Sequence, residues 1–246
     1  MLRGFTEQIL ALYEKAILEI SHFRNSSNGK LIIGASTTLG EYVLPRIIST
    51  FRKEDGGVDI YLKVANTNQI LKQLSANAFN LALVEDKIDN HSFSVEKVYE
   101  DELILITSTS HLWTSKKQIE ISELLSEPII IREEGSGTRK IMEEILTKYG
   151  IKLSDLNIKM ELDSTEAVKS AVAENLGISF VAKSSFIKKP ENIDIIPIAN
   201  IDSRFDFNLI YSREKELTSL TTEFIDCLKE RLSNQFREMG IFNSCL

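Results

Sequence analysis

Three short stretches of this sequence combine small hydroxyl residues with the predicted start of a helix. They read GASTTLGEY at 34–42, REEGSGTRK at 132–140 and ELDSTEAVK at 161–169. The first turn of a helix presents unpaired backbone N–H groups and the positive end of the helix dipole, so each stretch is suited to hold a small anion. Serine and threonine hydroxyls add hydrogen bonds, and Arg139 could form a two-pronged ion pair with a carboxylate or phosphate.

Each stretch also has a purely structural interpretation. Serine and threonine are good helix N-caps, the run DSTE at 163–166 is typical capping chemistry, and Gly135 and Gly137 could serve only a tight turn. Strands of an open α/β sheet carry their ligands at the carboxyl ends, where all three turns would lie. Because three such turns occur in one chain, we interpret them as parts of one shared ligand cleft.

The elements that position these turns alternate between strand and helix. KLIIGA, VDIYLKVA and NLALVE are typical of strands, and LPRIISTFRKE and NQILKQLSAN between them are typical of helices. This βαβαβ order predicts a mainly parallel sheet with helices on both faces. A second alternation runs from the short helical pattern IEISELLSE to the strand ISFVAK, and the chain continues to FDFNLIYSR and a last helical pattern. Two successive α/β units predict two lobes.

Catalytic and metal-binding motifs are not apparent in the sequence. GSGT lacks the lysine and the spacing of a Walker A loop, and neither a strand-flanked GxGxxG nor a GxSxG elbow appears. His22, His91 and His111 show no metal-ligand spacing. Glu85, after the apolar run LALV, could accept hydrogen bonds from a ligand or could be an exposed loop acid. We therefore predict no catalytic residue, no metal and no cofactor.

The composition limits the partners. The 246 residues include 29 Lys and Arg against 36 Asp and Glu, a net charge of −7, which argues against a large nucleic-acid-binding surface. No apolar run approaches the roughly 20 residues that cross a bilayer. The N-terminus MLRGFTEQIL lacks the apolar region of a signal peptide. The two cysteines form no CxxC pair, which fits a cytoplasmic chain. We expect no membrane partner.

The first amphipathic segment ends at the polar cluster NSSNG. FTEQILALYEKAILEISHFR places Ile9, Tyr13, Ile17 and Ile20 on one face of a helix. Such a stripe either packs on its own domain or faces a partner.

Five stretches, taken in order, resemble the effector-binding domain of LysR-type transcriptional regulators. They are GKLIIGASTTLGEYVLPRIISTFRKE, NTNQILKQLSANAFNLALVE, VYEDELILITSTSHLW, PIIIREEGSGTRK and STEAVKSAVAENLGISFVAK. They are most similar to the branch with a GSGTR turn, which includes regulators of carbon fixation and of sulfur metabolism. The resemblance covers residues 6–232. The opening helix is similar to the family's linker helix, which implies that Ile9, Tyr13, Ile17 and Ile20 form a homodimer interface, in a dimer or a tetramer.

The resemblance implies a two-lobed α/β fold of the type-II periplasmic-binding-protein class. Each lobe would be a mixed sheet flanked by helices, and two crossover strands, near Leu105–Ser108 and Phe205–Asn208, would form the hinge. The implied domains are a linker helix and linker at 1–29, lobe I at 30–107 plus 208–246, and lobe II at 108–207.

A receptor for a small, anionic metabolite follows from the resemblance and the three turns together. The residues expected to bind this effector are Ser36, Thr37, Thr38, Glu85, Thr107, Gly135, Ser136, Gly137, Thr138, Arg139, Ser164, Thr165 and Glu166. We expect Arg139→Ala to weaken effector binding strongly and to leave the melting curve nearly unchanged.

The family's N-terminal winged helix-turn-helix has no counterpart in the sequence. The resemblance therefore implies an isolated regulatory domain or a truncated relative, with DNA bound only through the missing N-terminal domain. Two alternatives share the fold. A solute-binding protein of a transporter would need a signal peptide and would not need the first helix, and a dehydratase-like enzyme would need an acid or base in the cleft, where Glu85 and Thr107 are the candidates.

Overall fold

The apolar runs of the sequence fold as strands, and the amphipathic segments between them fold as helices. The structure, a computed structural model, describes residues 29–55, 58–85, 91–186, 190–213 and 215–238. The predicted linker helix, with Ile9, Tyr13, Ile17 and Ile20, lies outside the described residues.

The strands, in chain order, are β1 (Lys30–Ala35), β2 (Asp59–Val64), β3 (Leu81–Val84), β4 (Phe93–Ser108), β5 (Pro128–Arg132), β6 (Asn157–Leu162), β7 (Ser179–Ala182), β8 (Ile193–Ile196) and β9 (Arg204–Ser212). The helices are α1 (Leu44–Asp55), α2 (Thr67–Ser75), α3 (Gly137–Lys148), α4 (Thr165–Ala173) and α5 (Ser219–Glu238). A π-helical turn (Leu39–Val43) leads into α1, and 3₁₀ turns lie at Leu112–Ser115, Ile121–Ser126, Leu153–Asp155 and Lys183–Ser185.

The strands form two lobes that share β4. Lobe I has the strand order β2-β1-β3-β9-β4, in which β1 pairs in parallel with β2 and β3, and β9 pairs antiparallel with β3 and β4. In lobe II, β4 continues into antiparallel pairs with β7 and β8, and β5 pairs in parallel with β6. The expectation of a mainly parallel sheet is wrong beyond β1–β3, because β9 returns from the far end of the chain and inserts between β3 and β4.

β4 changes its partner strand within a single step. Glu102 is the last residue that pairs with β9, and Leu103 is the first that pairs with β7. The segment predicted as the first crossover, Leu105–Ser108, lies in the part of β4 that pairs with β8, and Phe205–Asn208 lies in the part of β9 that pairs with β4. The predicted domain boundaries stay a prediction.

Helices cover both faces of the central strands of lobe I. Leu31, Ile33, Leu81 and Leu83 are fully buried, as expected for strands that read as continuous apolar runs. Helices α1 and α5 pack together through Phe51 and Phe224, whose rings meet edge to face with centroids 5.2 Å apart. Because β1 pairs in parallel with β2 and β3, the carboxyl ends of all three strands lie at one edge of the sheet. In the ranges that the structure describes, no helix combines the length and apolar character needed to cross a membrane.

Candidate effector-binding site

The cleft between the lobes holds a narrow polar cavity that is too tight to admit a water-sized sphere. It lies at the carboxyl ends of β1, β2, β3 and β5, where ligands of open α/β sheets bind. Lobe I lines it with Ser36, Thr37, Thr38, Asn66, Thr67 and Glu85, and lobe II lines it with Arg132, Ser136, Gly137 and Thr138.

Two helices begin at this cavity. The Asn66 side chain caps α2 by accepting a hydrogen bond from the Gln69 N–H at 3.0 Å, and the Ser136 hydroxyl caps α3 by accepting one from the Arg139 N–H at 3.4 Å. In the first turn of α3, the Gly137 and Thr138 N–H groups have no hydrogen-bond partner among the described residues and can face a ligand. The cavity therefore lies at the positive ends of two helix dipoles. Ser136 both caps α3 and lines the cavity, so the capping role and the ligand-binding role predicted for this stretch are compatible.

Arg132 supplies the charge of the cavity and is 4% exposed. Its Nε and Nη2 donate to the Glu133 carboxylate at 2.9 and 3.2 Å, and its Nη1 donates to the Thr165 hydroxyl at 2.8 Å. Nη2 also donates to the Asp163 carbonyl at 3.3 Å. A guanidinium has five N–H donors, so these bonds fix its plane and leave one Nη1 donor without a partner among the described residues.

Glu85 borders the same cavity from the end of β3 and is also 4% exposed. The Thr67 hydroxyl donates to its Oε2 at 3.2 Å. Burial raises the pKa of the Glu85 carboxyl above its ordinary value, and the neighbouring hydroxyls of Ser36, Thr38 and Thr67 offset only part of that rise. The sequence alternative of an exposed loop acid is therefore wrong for Glu85, because the start of α3 at Gly137 packs against it.

The lobes touch directly beside the cavity. The Asn68 N–H of lobe I donates to the Gly135 carbonyl of lobe II at 3.2 Å. A Cβ atom at Gly137 would lie 2.7 Å from both Glu85 Oε2 and Thr67 Oγ1. Only glycine permits so close an approach of the two lobes at this point. Gly135, with a φ of +90°, needs glycine for its backbone conformation as well.

A second bridge connects the lobes away from the cavity. The Tyr42 hydroxyl, beside α1, donates to the Glu166 carboxylate in α4, and Glu166 also pairs with Lys169. The Lys169 ammonium is buried, donates to the Ser185 carbonyl at 3.0 Å and lies over the Tyr42 ring at 4.6 Å from its centre. The arrangement of the two lobes is thus a closed one.

The cavity brings together part of the predicted effector set. The predicted residues that line it are Ser36, Thr37, Thr38, Glu85, Ser136, Gly137 and Thr138. The others lie elsewhere. Ser164 caps α4, Thr165 accepts from Arg132, and Glu166 forms the Tyr42 bridge.

Three further predicted residues do not line the cavity. Thr107 is buried within β4, and its hydroxyl has no hydrogen-bond partner among the described residues. Gly135 and Arg139 line an open groove outside the cavity. Arg139 donates to Glu143 at 2.8 Å and to Glu161 at 2.9 Å, so its guanidinium is held away from the cavity.

Sequence reasoning missed Arg132, Asn66 and Thr67. The sequence did contain a signal for Arg132. This charged residue directly follows the apolar run PIII, so its side chain must be buried or lie at the edge of the sheet. The turn NTN at 66–68 follows a strand and precedes a helix like the three chosen stretches. Within the described ranges, no group of three or more His, Cys, Asp or Glu side chains could hold a metal ion.

Comparison with known proteins decides the family. The family model described as the LysR substrate binding domain matches residues 24–233. The chain belongs to the LysR family. It is 31% identical over 211 residues to the HTH-type transcriptional activator CmpR of Synechocystis sp., which covers 85% of this chain and 68% of CmpR. It is 34% identical over 206 residues to a probable RuBisCO transcriptional regulator of Gracilaria tenuistipitata, with 82% of this chain and 66% of that protein covered.

A solved structure supports the fold of this LysR domain. The regulatory domain of CcmR from Synechocystis PCC6803, in complex with 2-PG, superposes with a TM-score of 0.78 at 26% identity, covering 84% of this chain and 99% of that one. The two-lobed α/β class predicted from the sequence is thereby confirmed. The relatives are transcriptional regulators, which favours the regulator prediction over the transporter and dehydratase alternatives. The chain spans about two thirds of the length of these regulators.

Proposed function

We propose that this chain senses a small anionic metabolite between its lobes and thereby controls transcription by a full-length LysR-type regulator. The observation that carries the proposal is Arg132, a buried and rigidly held guanidinium inside the interlobe cavity, at the N-termini of α2 and α3. A guanidinium and helix amides together recognise carboxylate, phosphate or sulfate groups. Arg132 takes the role that the sequence suggested for Arg139.

The size of the cavity bears on how the effector enters. Ligand pockets usually measure roughly 300–1,000 Å³, whereas this cavity has no room for a water-sized sphere. The lobes therefore separate to admit the effector and close around it, in a hinge motion of the kind that couples ligand binding to domain arrangement. 2-PG, found with the CcmR regulatory domain, is one candidate for the effector class.

The free energy available from such a site is sufficient for a switch. Shifting a two-state equilibrium from 1:99 to 99:1 takes about 5.5 kcal/mol of differential binding. Hydrogen bonds to charged groups contribute about 1.5–3 kcal/mol each. Two to four such bonds, from Arg132 and the helix amides, meet that need.

Dimerisation and DNA binding complete the proposal. We assign homodimerisation to the amphipathic stripe of Ile9, Tyr13, Ile17 and Ile20, and DNA binding to a separate domain of the full-length regulator. Polar substitutions at Ile9, Ile17 and Ile20 should convert a dimer to a monomer in native mass spectrometry. A monomeric unsubstituted chain would contradict this part.

Isothermal titration calorimetry tests the anion site. Sulfate, phosphate and 2-PG are titrated into the wild-type chain, and at least one should bind. Arg132→Gln should weaken that anion by about 10- to 150-fold, the equivalent of one charged hydrogen bond. The matched control is Arg139→Gln, which removes the same group outside the cavity and should keep most of the affinity. Binding of none of these anions, or equal affinity in Arg132→Gln, would contradict the proposal.

A further inference from the structure

The proposed effector cavity holds a second buried ionisable group besides Arg132. Glu85 lines the cavity from lobe I, opposite the guanidinium in lobe II. The charge of Arg132 is already balanced by Glu133, whose carboxylate it contacts at 2.9 Å. The formal charge that an incoming anion meets is therefore zero when Glu85 is protonated and −1 when it is ionised. A buried −1 cavity would repel the anion strongly, because charges interact more strongly away from water.

The charged groups around Glu85 come from three elements. Arg132 in β5 shares the effector cavity with it. On its other side, Glu85 borders a second hollow, which α3 and β9 line with the charged residues Lys140, Glu144, Lys148, Arg204 and Asp206. Among the described residues, the groups that stabilise the ionised Glu85 carboxylate are the hydroxyls of Ser36, Thr38 and Thr67 and its own backbone N–H, none of which is a cation. A carboxylate that is buried without a cation is costly.

Building on the proposed function, we infer that Glu85 takes up one proton when the effector binds and then donates a hydrogen bond to the bound anion. Arg132 and the helix amides hold the anion from one side, and the neutral Glu85 carboxyl holds it from the other. The proton comes from solvent, and no bond other than the carboxyl O–H forms. The effector class that fits is an oxyanion with acceptor oxygens on two sides, such as a carboxylate, phosphate or sulfate.

In the closed arrangement, burial raises the pKa of the Glu85 carboxyl and so favours its protonated form. Separation of the lobes exposes this carboxyl to water, which favours the ionised form. A nearby anion favours the protonated form further. A proton that is bound more tightly in the complex than in the free protein makes affinity fall as pH rises. Between the pKa values of the free and the bound protein, the fall is about tenfold per pH unit for one proton. An effector with an ammonium group facing an ionised Glu85 would show no such fall.

Calorimetry with sulfate as the probe measures this linkage, since sulfate keeps its charge between about pH 5.5 and 9. Wild-type affinity should fall by up to tenfold per pH unit across this range. Glu85→Gln keeps the shape of the side chain but cannot ionise, so its affinity should be nearly independent of pH. The matched control, Glu144→Gln, removes an exposed carboxyl that borders the second hollow and should keep the wild-type slope.

Titrations in buffers with different ionisation enthalpies count the protons that accompany binding. We expect about one proton in the wild type and none in Glu85→Gln. A wild-type slope that Glu85→Gln retains, or a wild-type count of zero, would overturn the inference and leave the anion site standing. Should Glu85→Gln fail to fold, the wild-type count alone decides. Absence of sulfate binding at every pH would also overturn it, whereas the proposed function would still stand or fall on phosphate and 2-PG.

Discussion

Gly137→Ala tests whether effector binding requires the closed arrangement of the lobes. The added Cβ would lie 2.7 Å from Glu85 Oε2 and from Thr67 Oγ1, against an ordinary contact of 3.4 Å or more. Lobe II must therefore move about 0.7 Å away from lobe I, or buried side chains must leave their rotamers. Overpacking of this kind costs about 1–3 kcal/mol. Because the open arrangement is not affected, the cost falls on the bound state and weakens the effector by about 5- to 150-fold.

Calorimetry with the anion that binds the wild type, together with urea unfolding, measures the effects on affinity and stability. The matched control is Gly40→Ala, whose Cβ would lie 2.5 Å from Val64 Cγ2, inside lobe I. Gly40→Ala should lower the unfolding free energy, whereas Gly137→Ala should lower affinity with little loss of stability, because alanine favours the helix that begins there. Wild-type affinity in Gly137→Ala would refute the view that the lobes close to this distance around the effector.

Two predictions concern stability. Burial raises the pKa of Asp101 to about 6 from 3.8, so the folded state holds the proton more tightly than the unfolded state does. The wild type should therefore lose about 2 kcal/mol relative to Asp101→Asn as pH rises from 4 to 6; urea unfolding at each pH checks this, and parallel curves would contradict it. Lys169→Met leaves the Ser185 carbonyl without its donor and should cost about 1–3 kcal/mol in urea unfolding. Its control, Lys116→Met at an exposed ion pair with Glu123, should change stability by less than about 1 kcal/mol, and equal costs would contradict the buried role of Lys169.

Local patterns predicted the elements better than their pairing. The runs KLIIGA and NLALVE became β1 and β3, because their length and apolar character suit strands covered on both faces. FSVEKVYEDELILITS is a single strand that passes from one lobe to the other. The insertion of β9 between β3 and β4 could not be predicted from local sequence, since it depends on contacts between segments more than 100 residues apart. IEISELLSE contains the predicted short helix, which is a 3₁₀ helix at Ile121–Ser126.

For the site as well, local sequence predicted where residues lie along the elements but not which partners a long side chain contacts. Ser36–Thr38 and Ser136–Thr138 were predicted because hydroxyl residues between a strand and a helix have a definite position in an α/β fold. The direction of a long side chain is not set in this way. Arg139 pairs with Glu143, one helical turn further on, and with Glu161 on the neighbouring strand. The first of these pairs is visible in the sequence at i,i+4 spacing, and it points the guanidinium away from the cavity.

The position of a bound anion tests the central claim most directly. Crystals grown with selenate, which has the geometry of sulfate and scatters anomalously, would locate the anion without reference to the protein phases. Our account predicts one strong anomalous peak in the cleft, within hydrogen-bond distance of Arg132 and of the N–H groups at the start of α3. A peak at Arg139 in the outer groove, with none beside Arg132, would contradict it.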